Sequence, residues 1–173
     1  GYDFAGWVWT NDNGETVTAS ATMPAYNVTA TATWTALDGI EYKVEIYKMP
    51  VNGSDYELVD TKVLTAKAGE TVTYAPETFE GFTFVAADSK LSDDVAGDGS
   101  TVLKVYYALD KTTISFDVDG TVTEVEGLIG ATVPADKVPA PEKDGYTFDG
   151  WKAADGTVSE NAPATFPEAD ETL

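Results

Sequence analysis

The 173-residue chain contains no cysteine, histidine, arginine or glutamine. Without cysteine it can form neither disulfides nor thiolate metal sites. Without histidine, cysteine or arginine, the side chains that most often act as general base or activated nucleophile are missing. Positive charge is scarce too: ten lysines face 30 acidic residues, for a net charge of -20. So negative a surface repels phosphate backbones, which argues against nucleic acid as a partner. Anionic lipid headgroups are repelled in the same way. No apolar run approaches the roughly 18 residues that would cross a bilayer, so no membrane insertion is expected. The chain opens on Gly1, without a signal-like segment, and reads as an excised piece of something longer.

Hydrophobic residues make up 43% of the chain, enough to build packed cores. The length suits one ordinary domain or two to three small ones. Internal repetition favours the second option. Gly1-Tyr2-Asp3-Phe4-Ala5-Gly6-Trp7 returns as Gly145-Tyr146-Thr147-Phe148-Asp149-Gly150-Trp151, identical at five of seven positions. Ala21-Thr22-Met23-Pro24 is echoed by Ala164-Thr165-Phe166-Pro167. A variant copy lies between them: Gly81-Phe82-Thr83-Phe84 matches the motif, and Gly69-Glu70-Thr71-Val72 upstream matches Gly130-Ala131-Thr132-Val133. These matches divide the chain into three parts. Residues 1–37 are the C-terminal part of a first repeat, 38–110 a complete middle repeat, and 111–173 a third repeat lacking its last strand.

Most segments alternate with period two, as half-buried strands do. Val28, Ala30, Ala32 and Trp34 alternate with threonines; Tyr42, Val44 and Ile46 with charged residues; Leu103, Val105 and Tyr107 flank Lys104. Asp119-Gly120 between two alternating runs predicts a hairpin, and Asn52-Gly53 predicts another between Tyr42–Met49 and Tyr56–Leu64. Helix is confined to short candidates at Pro76–Phe79 and Pro134–Val138. The expected fold class is α+β but β-rich, with little helix.

The Gly145–Trp151 motif, followed by Gly156 and Phe166-Pro167, resembles the Listeria–Bacteroides repeat, the family that includes the internalin B-repeats. Gly1–Trp7 with Met23-Pro24 and Trp34 is similar to a second copy. The middle repeat, through Tyr42-Lys43-Val44, Leu58-Val59-Asp60-Thr61, Gly81-Phe82 and Leu103–Tyr107, resembles the mucin-binding-protein-type repeats of Gram-positive surface proteins. These resemblances imply tandem β-grasp-like modules, display on the bacterial cell surface with attachment to the wall through other parts of the protein, and a stalk or adhesive role. They imply no catalytic residues.

Within the motif, aromatics two apart share one strand face, and the glycine before Trp fits a bulge that re-aims the indole. Trp7 and Trp151 are accordingly expected to plug the cores of small modules. Trp9 differs, because Ala153 occupies its place in the third repeat. If any tryptophan is a contact residue, the sequence nominates Trp9, the alternative being that it packs against a neighbouring module. No catalytic, cofactor or metal-ligating residue is assigned. Asp117–Gly120 and Asp93-Asp94 with Asp98-Gly99 lack the ligand spacing of a calcium loop, and turn chemistry accounts for Asp-Gly. The expected function is a non-catalytic stalk or spacer within an adhesin. The alternative is a module that itself binds a host glycan or protein. The incomplete end repeats also raise head-to-tail self-association by strand donation.

Overall fold

The structure, a computed structural model, describes residues 1–18 and 22–173. Ala21 of the Ala-Thr-Met-Pro echo lies outside the described residues. In chain order the strands are β1 (Tyr2–Asn11), β2 (Thr16–Val17), β3 (Val28–Ala36), β4 (Ile40–Lys48), β5 (Glu57–Ala66), β6 (Thr71–Thr73), β7 (Phe82–Phe84), β8 (Ser92–Asp94), β9 (Val102–Leu109), β10 (Lys111–Val118), β11 (Thr121–Leu128), β12 (Trp151–Lys152), β13 (Val158–Ser159) and β14 (Glu171–Thr172). The fold is β-rich, with 49% of residues in strand and helix limited, among the described residues, to one 3-10 turn at Ala135–Lys137. The sheets run β2-β1-β3, β5-β4-β9-β7, β6-β8, β11-β10-β14 and β12-β13.

Two compact units are each assembled from three stretches: 1–45, 61–75 and 90–104 in one; 46–60, 76–89 and 105–173 in the other. Strands β4, β5 and β9 contribute residues to both.

In the first unit β1 and β3 form a long antiparallel ribbon, from Tyr2 opposite Ala36 to Asn11 opposite Val28. Period-two alternation makes the ribbon two-faced. Tyr2, Phe4, Trp7 and Trp9 lie on the face of Ala36, Trp34, Ala32 and Ala30, while the β3 threonines take the other. Elsewhere in this unit Tyr42, Val44, Ala68, Val72, Val95 and Leu103 are buried. Thr101, also buried, accepts a hydrogen bond from the Ala96 amide and donates to the Asp94 carbonyl.

In the second unit the alternation continues through Ile46, Val105, Tyr107 and Leu109, all buried. The buried Tyr107 hydroxyl donates to the Glu77 carbonyl at 2.8 Å. The third repeat has its own core of Ile114, Phe116, Val125, Val133, Trp151 and Phe166. β10 and β11 build half of it as a hairpin in unbroken register, Lys111 opposite Leu128 through Val118 opposite Thr121. Its turn uses Asp119 and Gly120 at φ 50° and 84°. Positive φ at both central residues is the twist a two-residue hairpin demands, and Asp-Gly is the pair that supplies it. Gly127 is held to glycine by packing, since a Cβ there would meet the Phe166 ring at 2.0 Å.

One local expectation needs correction. Pro76–Phe79 is not helical, and Phe79 bridges Phe82 across a turn at Glu80-Gly81. Tyr107 claims both the Glu77 carbonyl and the Phe79 ring, 4.9 Å between ring centroids, and so holds the segment open. β4 and β5, the strands expected on either side of Asn52-Gly53, are neighbours in one sheet, and in the turn between them the Pro50 carbonyl accepts from the Gly53 amide. The second helix candidate shrinks to the 3-10 turn Ala135–Lys137 behind Pro134.

Candidate functional site

The first repeat carries an aromatic face on one side of the β1–β3 ribbon. Phe4 sits directly opposite Trp34. Its ring meets Trp7 and Trp34 edge-on, at centroid distances of 5.5 and 5.6 Å. The register slips between Phe4 and Gly6, a bulge that returns Trp7 to the face Phe4 already occupies. Gly6 holds φ 129° there, a conformation side chains rarely adopt. The result is open to solvent: Trp7 is 57% exposed and Trp34 61%, with Tyr2 and Phe4 about half exposed.

Trp9, the nominated contact residue, ends this face. It is half-buried, opposite Ala30 on β3 and Val17 on β2. Trp7, expected to be a core plug, is a surface residue. Its ribbon has no second apolar layer over it among the described residues, so the aromatic side stays wet.

The third repeat supplies the contrast. The same Gly-Trp step occurs at Gly150, φ 143°, and Trp151 is only 5% exposed. The Trp151 ring packs against Phe116 at 4.7 Å and Phe148 at 5.2 Å. The β10–β11 hairpin is what covers it. One motif therefore gives a buried indole in one copy and an exposed one in the other.

A second aromatic group went unrecognised in the sequence. Tyr106 stacks on Tyr47 at 4.8 Å and meets Tyr56 edge-on at 5.0 Å, all three half-buried in the second unit. Burial, with the Asp88 carboxylate and Tyr106 adding to it, pushes the Tyr56 hydroxyl above its ordinary pKa. The signal was present: Tyr47 and Tyr106 are the outward alternates of buried Ile46 and Tyr107.

The aspartates that resembled cation loops are engaged in turns and ion pairs. Asp117 accepts from the Gly120 amide at 2.8 Å, and Asp98 from the Ser100 amide at 3.0 Å. Asp93 pairs with Lys90. Among the described residues no three acidic groups converge as a metal ion would require. Hydrogen bonding to Lys90 holds the Asp93 carboxyl low; the Ser100 hydroxyl and amide do so for Asp98, and the Thr157 amide and hydroxyl for Asp155. A carboxyl whose pKa falls on folding stabilises the fold at pH values above its unfolded pKa, and that help disappears as pH drops through the folded value. An Asp98→Ala, Asp155→Ala double variant should thus be less stable than the parent at pH 6, with the gap closing below about pH 4. Denaturant titrations at both pH values check this; a gap still open at pH 2.5 means the ionised carboxylates are not its source.

No helix of the described residues is long and apolar enough to cross a membrane. Residues 113–173 match the sequence profile of the Listeria-Bacteroides repeat domain, and residues 1–38 that of the divergent InlB B-repeat domain. No curated protein matches the chain. Both profiles describe repeat domains typical of bacterial surface proteins. The two matches fall on the two stretches that share the Gly-Tyr-x-Phe-x-Gly-Trp motif, so residues 113–173 are similar to Listeria–Bacteroides repeats and residues 1–38 to InlB B-type repeats.

Proposed function

We propose that the chain is a non-catalytic length of stalk in a bacterial adhesin, built from tandem modules spanning residues 1–37, 38–110 and 111–173. The observation that carries this is how the third repeat uses its motif. Trp151 and Phe166 are spent on a core, and Gly150 on the bend that turns Trp151 inward. A chain of small β modules with a net charge of -20 is suited to holding a ligand-binding tip away from a cell wall in soluble form. The test is a swap in the intact surface protein. Replacing this stretch with unrelated modules of equal length should preserve adhesion, whereas deleting it should weaken adhesion. Loss of adhesion in the equal-length swap overturns the stalk reading.

The exposed aromatic face favours a second reading, an adhesive module. Phe4, Trp7 and Trp34, with Trp9 at the edge, offer the flat apolar surface on which sugar rings or a protein partner settle. Glycan-array binding by the chain that is abolished in a Trp7→Ala, Trp34→Ala variant would support this reading over the first.

A further inference from the structure

Strand β5 runs for ten residues, Glu57–Ala66, and forms one edge of the sheet β5-β4-β9-β7. An edge strand turns one row of backbone amides and carbonyls away from its sheet, a template for another strand. Leu58, Val59, Val63 and Leu64 are all exposed, the two valines by 52% and 53%. Period two puts Leu58 and Leu64 on one face and Val59 and Val63 on the other, so β5 shows apolar side chains to water on both. Edges are usually kept apart by proline or by several lysines; β5 has no proline and one lysine. The order of its residues says what fits it. Leu58-Val59-Asp60-Thr61-Lys62-Val63-Leu64 mirrors itself about Thr61: leucine at both ends, valine inside each, then an acid answered by a base.

We infer that β5 recognises itself: two copies of this chain pair through it, antiparallel, about a two-fold axis at Thr61. The pairing joins two four-stranded sheets into one. Leu58 then faces Leu64, Val59 faces Val63 and Asp60 faces Lys62, each twice, with Thr61 opposite Thr61. Other registers are worse. A one-residue slip sets Asp60 against Val63 or Val59 against Lys62 and brings opposite faces together. A two-residue slip sets Lys62 on Lys62 or Asp60 on Asp60, and a parallel in-register pair does both. The Lys62 ammonium already donates to the Tyr74 hydroxyl at 2.9 Å. An ammonium carries three donors, so that bond leaves room for a carboxylate. Exposed ion pairs add little affinity; here they select the register, while the ladder and the leucine and valine pairs supply the attraction. Each β5 has one outward edge, so the assembly closes at two, and its small contact makes it a transient dimer. The inference goes beyond the stalk reading and stands without it, so either can fail alone.

The test uses the whole chain at about 0.15 M salt, where repulsion between two acidic molecules is screened beyond about 8 Å. Sedimentation equilibrium should show a monomer passing to a dimer, and no further, as concentration rises toward about 1 mM. Asp60→Lys and Lys62→Asp variants each set like charges opposite one another and should stay monomeric over the same range. An equimolar mixture of the two should dimerise again, because the lysine pair of one variant then faces the aspartate pair of the other. Hydrogen exchange on the parent chain needs no variant: amides at 58–64 should exchange about 5-fold or more slowly in the dimer than in dilute monomer. A parent that stays monomeric to about 1 mM overturns the proposal. So do dimers that persist in either single variant, a folded mixture that stays monomeric, or species that grow past two, which would mean head-to-tail chains through other strands. If Lys62→Asp proves unfolded by circular dichroism, the exchange comparison decides, and unchanged rates at 58–64 in a dimeric parent refute the assignment.

Discussion

A Trp151→Ala variant is expected to lose about 3–5 kcal/mol of stability, the range for removing a large aromatic from a close-packed interior. Trp7→Ala, the same change at the equivalent motif position, should cost less than about 1 kcal/mol. The difference follows from surroundings alone. Trp151 is wrapped by Phe116, Phe148 and the rest of the third-repeat core, and its removal leaves a void that the β10–β11 hairpin cannot close without breaking register. Trp7 touches Phe4 and is otherwise wet, so its loss opens no cavity. A module of some 60 residues has little stability in reserve, and the Trp151 variant should leave the third repeat largely unfolded. Circular dichroism during denaturant titration measures both variants; similar losses at the two positions would mean that Trp7 is covered in solution.

The next largest effect is expected at Gly150. Alanine there must adopt φ 143°, and its Cβ would lie 2.6 Å from the Ser159 carbonyl oxygen. Backbone strain of about 1–3 kcal/mol adds to overpacking of similar size. Because the obstacle is main chain of the paired strand β13, no rotamer change relieves it. Gly6 separates the two terms: it holds φ 129°, but a Cβ added there would have nothing within 4 Å. Gly6→Ala should therefore show the conformational part alone, about 1–3 kcal/mol, and Gly150→Ala should exceed it by roughly 1–3 kcal/mol. Thermal melts of the two variants make the comparison. If they match, Ser159 gives way and the clash carries no cost.

Much of this architecture is legible in the residues themselves. The hairpin at Asp119-Gly120 is written in a dipeptide whose conformational preference leaves little choice, and the buried alternates of β4, β9 and β10 in plain period two. The bulge behind Trp7 is readable because a three-residue step from Phe to Trp breaks a two-residue period. Burial of the tryptophans is another matter. Pattern can say that Phe4, Trp7 and Trp34 share a face, but only the presence of an opposing layer decides whether that face is dry. The helix expected at Pro76–Phe79 fails because the segment's conformation is set by Tyr107, 30 positions away along the chain in its bond to Glu77. The tyrosine trio is hidden from a one-dimensional pattern because Tyr47 and Tyr106 are outward alternates, whose meeting depends on how β4 and β9 lie side by side, and Tyr56 lies in no strand at all.

Repeats with one motif and opposite burial also provide an internal optical label. Trp151, enclosed by hydrocarbon, should emit at the blue end of the indole range, and Trp7 and Trp34, facing water, at the red end. Opening of the third repeat would then appear as a red shift of one component over a steady background, so its unfolding can be followed separately without attaching a dye.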